Sequence, residues 1–131
     1  MITRRPCRHL TLSGGCTSRH PESGSLDLAG RFTAGPLGRD VADWLATEPL
    51  SLLAAGHRDA WEQLAELAIR LERERRAPVE FEFELTTHRA RSARVRQARM
   101  RPLAYVAAMH DLVRTGVVSP GEAVLAMTPE H

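Results

Sequence analysis

The clearest pattern in the chain is a helical repeat of apolar residues that begins near position 59. Apolar side chains recur three or four positions apart at Trp61, Leu64, Leu67 or Ala68, and Leu71. This spacing places them along one side of an α-helix. Pro78 is predicted to end the helix near Arg76, because proline lacks an N–H donor and disfavours helical geometry at the preceding residue. Glu72 is predicted to support the helix by pairing with Arg76, four positions later.

A strict alternation of apolar and acidic residues follows this helix. Three glutamates are interleaved with Val79, Phe81, Phe83 and Leu85. One face of the predicted strand is therefore apolar and the other is acidic. The segment from Arg89 to Arg101 carries six arginines and no acidic residue. It is predicted to return as an antiparallel strand whose arginines pair with the glutamates.

Two more helices are predicted in the last third of the chain. Pro102 suits the first turn of a helix, and Gly116 is a typical left-handed stop. Ser119 and Glu122 have the spacing of a capping box, which predicts a last short helix that ends before Pro129.

The first part of the chain, up to about residue 38, is rich in Gly, Ser and Pro. Such composition favours short strands and turns. The predicted class is α+β, a small antiparallel sheet with about three helices. Residues 1–13 are expected to lack regular structure, and residues 14–131 are expected to form one domain.

Composition narrows the function classes. No apolar run approaches the roughly 20 residues needed to cross a bilayer, and no apolar segment of about seven residues follows the basic start as in a signal peptide. A soluble, cytoplasmic protein without a membrane partner is expected. All 18 basic residues are arginine, and the chain contains neither Lys nor Asn. This usage indicates a GC-rich bacterial genome, and the missing Lys excludes P-loop and protein-kinase schemes.

Four ordered stretches of the chain resemble segments of one known family. They are SRHPESG at 18–24, GRDVADWLATEPL at 38–50, the span from RLER at 70–73 through VEFEFE to Gln97-Ala98-Arg99, and GVVSPGEAV at 116–124. They resemble a Thr-Arg-Asp-Pro-x-x-Gly loop, a Gly-Glu-Asp-Val segment ending in Glu-Pro-Leu, a Leu-Glu-Arg helix with its strands, and an exit linker. All four belong to the nucleotide-binding domain of the pyruvate, phosphate dikinase family, whose fold is of the ATP-grasp type.

The resemblance implies a nucleotide site on the predicted hairpin. In the family, the residues that correspond to Glu80 and Gln97 face the nucleotide phosphates and Mg²⁺ from neighbouring strands, and the counterpart of Arg99 contacts phosphate. The resemblance therefore implies Glu80, Gln97 and Arg99 as cofactor-binding residues, Glu80 and Gln97 as metal ligands, and ATP with Mg²⁺ as cofactors. Oxygen ligands of this kind suit Mg²⁺.

Several departures from the family's pattern argue against catalysis. Arg31 and Arg39 stand where the family has acidic residues, and His20 stands where it has Asp. Arg94 and Arg96 occupy places that are apolar in the family. The family's preceding subdomain, phosphohistidine domain and pyruvate-binding barrel have no counterpart here.

The hypothesis is therefore a truncated, degenerate relative with weak or lost ATP binding, no catalytic residues and no complete phosphotransfer alone. If active, it is an ATP-dependent phosphotransferase that acts with another chain.

Four alternatives stay open. In the first, the hairpin face is only a solvated Glu/Arg surface. In the second, the chain is a non-catalytic interaction or regulatory module that a partner or a second copy covers. The six arginines are a phosphate-binding surface for nucleic acid, which the neighbouring glutamates and the net charge of +2 disfavour. The last alternative is a zinc site at Cys7, His9, Cys16 and His20.

Overall fold

The computed structural model describes residues 11–37, 47–87 and 89–127. In chain order the elements are β1 (Leu12–Thr17), β2 (Ala29–Ala34), β3 (Glu48–Pro49), α1 (Leu50–Gly56), α2 (Arg58–Arg75), β4 (Val79–Leu85), β5 (Ala90–Gln97), α3 (Pro102–Arg114) and α4 (Pro120–Met127). The strands form one antiparallel sheet in the order β3-β2-β1-β4-β5. The α+β class is confirmed, with α1 added to the three predicted helices.

Three sequence-based expectations concern residues outside this range. These expectations fall on the segment before position 11, on the motif residues 38–46 with Arg39, and on the end of the chain after Met127. Strand β1 begins at Leu12. Within the described ranges, no helix is both long enough and apolar enough to span a bilayer.

Helix α2 matches its predicted bounds and packs beside α1 against one face of the sheet. Its buried side chains are Leu64, Leu67, Ala68, Leu71 and Glu72. The four apolar ones join the apolar face of β4 and Leu50 and Leu53 of α1 in one core cluster. Arg76 follows the helix in the left-handed conformation, with φ of 58°. The apolar repeat therefore forms the main core of the protein, as predicted.

Strand β1 lies at the centre of the sheet although its Gly14-Gly15 pair is typical of a turn. It pairs with β2 on one side and with β4 on the other. A methyl group at Gly14 would lie 2.0 Å from the carbonyl oxygen of Arg31. Glycine is needed here because the two backbones approach too closely for any side chain.

The predicted Arg/Glu hairpin is confirmed. Strands β4 and β5 pair in antiparallel fashion, and β4 buries every second residue. On the other face the nitrogen–oxygen distances are 2.7 Å for Arg91 and Glu84, 2.6 Å for Arg96 and Glu80, and 3.7 Å for Arg94 and Glu82. The glutamate face of the sheet is thus covered by arginine side chains of its neighbouring strand.

A β-bulge interrupts this hairpin. Glu82 pairs with Ala93, but Glu80 pairs with Arg96, so β5 contains one extra residue between the two positions. Arg94 adopts a positive φ of 54°. Because of the extra residue, Arg96 faces Glu80, and Val95 packs against the core.

Helices α3 and α4 form a second, smaller apolar cluster. Its buried residues are Met109, Leu112, Val118 and Ala123. The capping box of α4 is confirmed, since the Ser119 N–H donates to Glu122 at 2.7 Å and the Glu122 N–H donates to the Ser119 hydroxyl at 3.1 Å. Arg76 also pairs with Glu122, at 2.7 Å. The predicted pairing of Arg76 with Glu72 is therefore wrong.

Glu72 instead binds a buried arginine in the loop after β1. Arg19 donates to Glu72 through Nε at 2.9 Å and Nη2 at 3.2 Å, and to Asp111 through Nη1 at 2.9 Å. The Ser18 hydroxyl donates to Glu72 at 2.6 Å and accepts the Val79 N–H at 3.1 Å. Arg19 and Glu72 are both 3% exposed. This network joins the loop, α2, β4 and α3.

Replacing Glu72 with alanine is expected to lower the free energy of unfolding by about 3–5 kcal/mol, because the Arg19 guanidinium would lose its main buried partner. Urea unfolding measures the change. Glu66→Ala, on the exposed side of the same helix, is the matched control and should stay within about 0.5 kcal/mol of the parent. A loss below about 1 kcal/mol in Glu72→Ala would show that this pair contributes no more than an exposed salt bridge.

Candidate functional site

The candidate site lies on the open face of the sheet and centres on Glu80. Its carboxylate accepts the Arg96 Nε–H at 2.6 Å. It also accepts the backbone N–H of Arg99 at 2.9 Å and the Arg99 Nη2–H at 3.0 Å. The Glu80 side chain is 16% exposed, whereas those of Arg96 and Arg99 are 61% and 78% exposed. Two solvent-facing guanidinium groups therefore hold one largely covered carboxylate.

The local environment keeps Glu80 ionised. Partial burial raises the pKa of this carboxyl group, but the hydrogen bonds from Arg99 and Arg96 outweigh burial, so the pKa is lowered. These donors stabilise the charged form. Glu80 is consequently an anion at neutral pH, and its charge is compensated locally.

An open groove of about 450 Å³ runs over this cluster. Its charged lining residues are Glu80, Glu82, Arg94, Arg96 and Arg99. Gly15 and Gly30 also line it, and open space lies above Gly15, where a Cβ atom would meet no heavy atom within 4 Å. Three arginines against two glutamates give the groove a positive balance, which suits an anionic ligand.

Gln97 lies apart from Glu80. It pairs with Val79, and residues directly opposite each other in an antiparallel pair share a face, so Gln97 is on the same face as Val79, although the Gln97 side chain itself is exposed. Its side-chain amide donates to the Tyr105 hydroxyl at 3.3 Å. The structure thus brings Glu80 and Arg99 together and places Gln97 on the opposite face.

This arrangement does not fit a Mg²⁺ site built from Glu80 and Gln97. Magnesium needs oxygen ligands that converge on one point, but the Glu80 oxygens accept hydrogen bonds from arginine and the Gln97 side chain lies on the other face. Within the part of the chain that the structure describes, no three His, Cys, Asp or Glu side chains form a metal-binding group.

Two of the four residues of the zinc alternative can be placed. Cys16 is buried, and burial raises the pKa of its thiol to about 12. His20 is exposed and its Nδ1 accepts the Glu22 N–H at 3.2 Å. Cys7 and His9 lie outside the described residues. Cys16 is therefore a neutral thiol within the core, whereas zinc binds thiolate.

Five of the six arginines between positions 89 and 101 are in ion pairs. The pairs are Arg91–Glu84, Arg94–Glu82, Arg96–Glu80, Arg99–Glu80 and Arg101–Glu22. A phosphate backbone would have to compete with a glutamate at each of them. The segment therefore forms a mixed-charge surface, as the glutamates beside it in the sequence indicated.

The sequence pattern gave no role to Arg19 or to its pairing with Glu72, although both lie in stretches that resemble the dikinase family. The structure makes them a buried structural pair. One signal was present in the sequence, because Glu72 follows Leu71 on the side of α2 that carries Leu64 and Ala68. A carboxylate on an apolar stripe requires a partner from elsewhere in the fold.

Comparison with known proteins identifies a distant relative. No protein-family model matches the chain. The chain is 27% identical over 120 residues to the chloroplastic pyruvate, phosphate dikinase of Mesembryanthemum crystallinum. The aligned region is 91% of this chain, and it spans only 13% of the length of that enzyme. The similarity, though weak, indicates a region related to pyruvate, phosphate dikinase.

The Cys16 thiol is expected to resist thiol reagents while the protein is folded, because it is buried and its raised pKa keeps it protonated. A Cys7→Ser variant leaves Cys16 as the single thiol, since the chain has two cysteines. Labelling with a chromogenic disulfide at pH 8 should proceed only as fast as the protein opens, and should become rapid in denaturant. Rapid labelling of the folded variant would contradict the buried placement.

Proposed function

We propose that this chain is a pyruvate, phosphate dikinase-like nucleotide-binding domain that binds ATP weakly in the groove beside Glu80 and performs no complete phosphotransfer alone. Two independent facts support the proposal. The chain resembles that enzyme over most of its own length. The pair Glu80 and Arg99, for which the resemblance implies nucleotide contact, meets at an open groove.

The observation that carries the proposal is the exposure of Arg99 beside the groove. Its side chain is 78% exposed although it binds Glu80. An arginine guanidinium matches two phosphate oxygens at once and forms charge-assisted hydrogen bonds with them. Arg99 can therefore contact the phosphates of a nucleotide without leaving Glu80.

Weak binding follows from the same contacts. A phosphate must compete with Glu80 for its two arginines, and open grooves leave much of a ligand in water. Arg31, at a position that is acidic in the family, donates to the hydroxyl and carbonyl of Thr47 at 2.6 and 2.7 Å. At this position the described face therefore presents a guanidinium group in place of a carboxylate. Phosphotransfer requires another chain that supplies the missing groups.

Calorimetric titration of the purified protein with ATP is expected to give a dissociation constant near 1 mM, which is about 4 kcal/mol of binding free energy. Arg99→Ala should weaken binding about tenfold, because it removes a charge-assisted contact. Arg91→Ala is the matched control, since Arg91 is likewise an exposed arginine paired with a glutamate of β4, but it binds Glu84 outside the groove.

Three results would contradict the proposed function. The absence of binding heat at ATP concentrations several times the expected dissociation constant would exclude nucleotide binding. Transfer of a phosphoryl group from ATP by the purified protein alone would instead show a complete active site. Binding that Arg91→Ala and Arg99→Ala weaken equally would place the nucleotide outside the groove.

A second candidate function is a non-catalytic interaction module that self-associates. The observation that favours it is the exposure of Leu103, Val106 and Leu125 on α3 and α4, at 83%, 47% and 77%. Exposed apolar side chains on neighbouring helices are typical of interfaces when they form a patch.

Sedimentation velocity tests this alternative. If the protein self-associates, we expect a dimer that dissociates on dilution and a larger monomer fraction for Leu125→Ser. Glu66→Ala, far from these side chains in the sequence and exposed on α2, should leave the dimer unchanged. A monomer at every protein concentration would exclude self-association.

A further inference from the structure

The β-bulge of β5 holds an arginine in an unfavourable backbone conformation at the rim of the groove. Arg94 has a φ of 54°, which side chains other than glycine and asparagine rarely adopt. Its side chain is 82% exposed and lies 3.7 Å from Glu82, the longest of the three cross-strand ion pairs. Bulges often re-aim a side chain at a functional site, and strain of this kind is a sign of such a site.

The bulge also determines which side chains of β5 reach the groove. The extra residue moves Arg96 opposite Glu80, and Arg94 lines the groove as well. With Arg99, three arginines line the groove together with Gly15. Without the bulge, Val95 would lie opposite Glu80, whereas Arg94 would lie opposite Phe81 and Arg96 opposite Val79, so neither arginine would remain on the groove face.

These arginines keep hydrogen-bonding capacity. Among the described residues, Glu80 engages only the Nε–H of Arg96, and it engages the Nε–H and one terminal amino group of Arg99. A guanidinium carries donors on all three nitrogens. Both terminal amino groups of Arg96 and one of Arg99 are therefore left for another acceptor.

The same arginines make the groove unfavourable for a metal ion. The pKa of Glu80 is lowered because arginine already stabilises its negative charge. A divalent cation would have to displace two guanidinium groups and would then lie beside Arg94. Electrostatics in this groove therefore oppose a cation and favour an anion.

We infer that the groove binds a chain of phosphate groups directly through Arg94, Arg96 and Arg99, without a divalent metal. This inference rests on the proposed function and names how the same site recognises its ligand. Glu80 organises the arginines and at the same time opposes the ligand, since both carry negative charge. The chemistry recognised is the phosphate chain, for which inorganic triphosphate is the simplest probe.

Titration with inorganic triphosphate in EDTA tests the inference. Binding is expected in EDTA, and added Mg²⁺ should weaken it because the metal neutralises the ligand. Higher salt should weaken it too. Glu80→Gln should tighten binding several-fold, because it removes the competing charge.

Arg94→Gly is the sharpest variant. Glycine tolerates a positive φ, so the bulge is kept and the melting temperature should not fall. Binding of triphosphate should nevertheless weaken about tenfold, because a charge-assisted contact is lost. Arg91→Ala, outside the groove on the same strand, should bind like the parent protein.

The outcomes separate this inference from the proposed function. ATP binding that requires Mg²⁺ and is lost in Glu80→Gln would overturn metal-free recognition and leave the nucleotide site standing. Unchanged triphosphate binding in Arg94→Gly would overturn the role of the bulge. No heat from either ligand, with or without Mg²⁺, would overturn the inference and the proposed function together.

Discussion

The buried ion pair between Arg19 and Glu72 is the interaction on which the rest of the structure depends. A guanidinium enclosed in protein is costly unless its charge and its donors are matched. Glu72 and Asp111 supply the charge, and the Gly24 carbonyl accepts a further hydrogen bond at 3.3 Å. The apolar cluster of the sheet and that of α3 and α4 are separate. The arginine spans them, so it fixes the second cluster against the first.

Much of the fold could be predicted from local patterns. Helix α2, strand β4 and the capping box of α4 have periodicities and spacings that one segment dictates by itself. Strand β1 could not be predicted in this way, because Gly14 is required by the approach of β2 and only looks like a turn residue in sequence. The partner of Glu72 was missed for a similar reason. The four-residue rule gave it Arg76, but Arg76 leaves the helix in a left-handed conformation and binds Glu122.

The candidate site shows the same division. Alternation placed Glu80 on the open face, and the resemblance to the dikinase family joined it to Arg99. Gln97 was grouped with them, but the structure places it on the opposite face, with Val79. One extra residue in a strand moves every later side chain to the other face. The sequence did carry a signal of the bulge, because the arginines change from odd positions at Arg89 and Arg91 to even positions at Arg94 and Arg96.

Holding phosphates with arginines instead of a metal ion, as inferred for this groove, would separate phosphate binding from phosphate transfer. A guanidinium attracts phosphate as a metal ion does, and it supplies directed hydrogen bonds. It cannot, however, draw the attacking and leaving oxygens into one coordination sphere, which is how metal ions support phosphoryl transfer. A groove lined by Arg94, Arg96 and Arg99 around an ionised, arginine-paired Glu80 therefore has features that suit holding a phosphate chain. Under the proposed function, the charge pattern of this face accounts for affinity toward a phosphate chain without phosphoryl transfer.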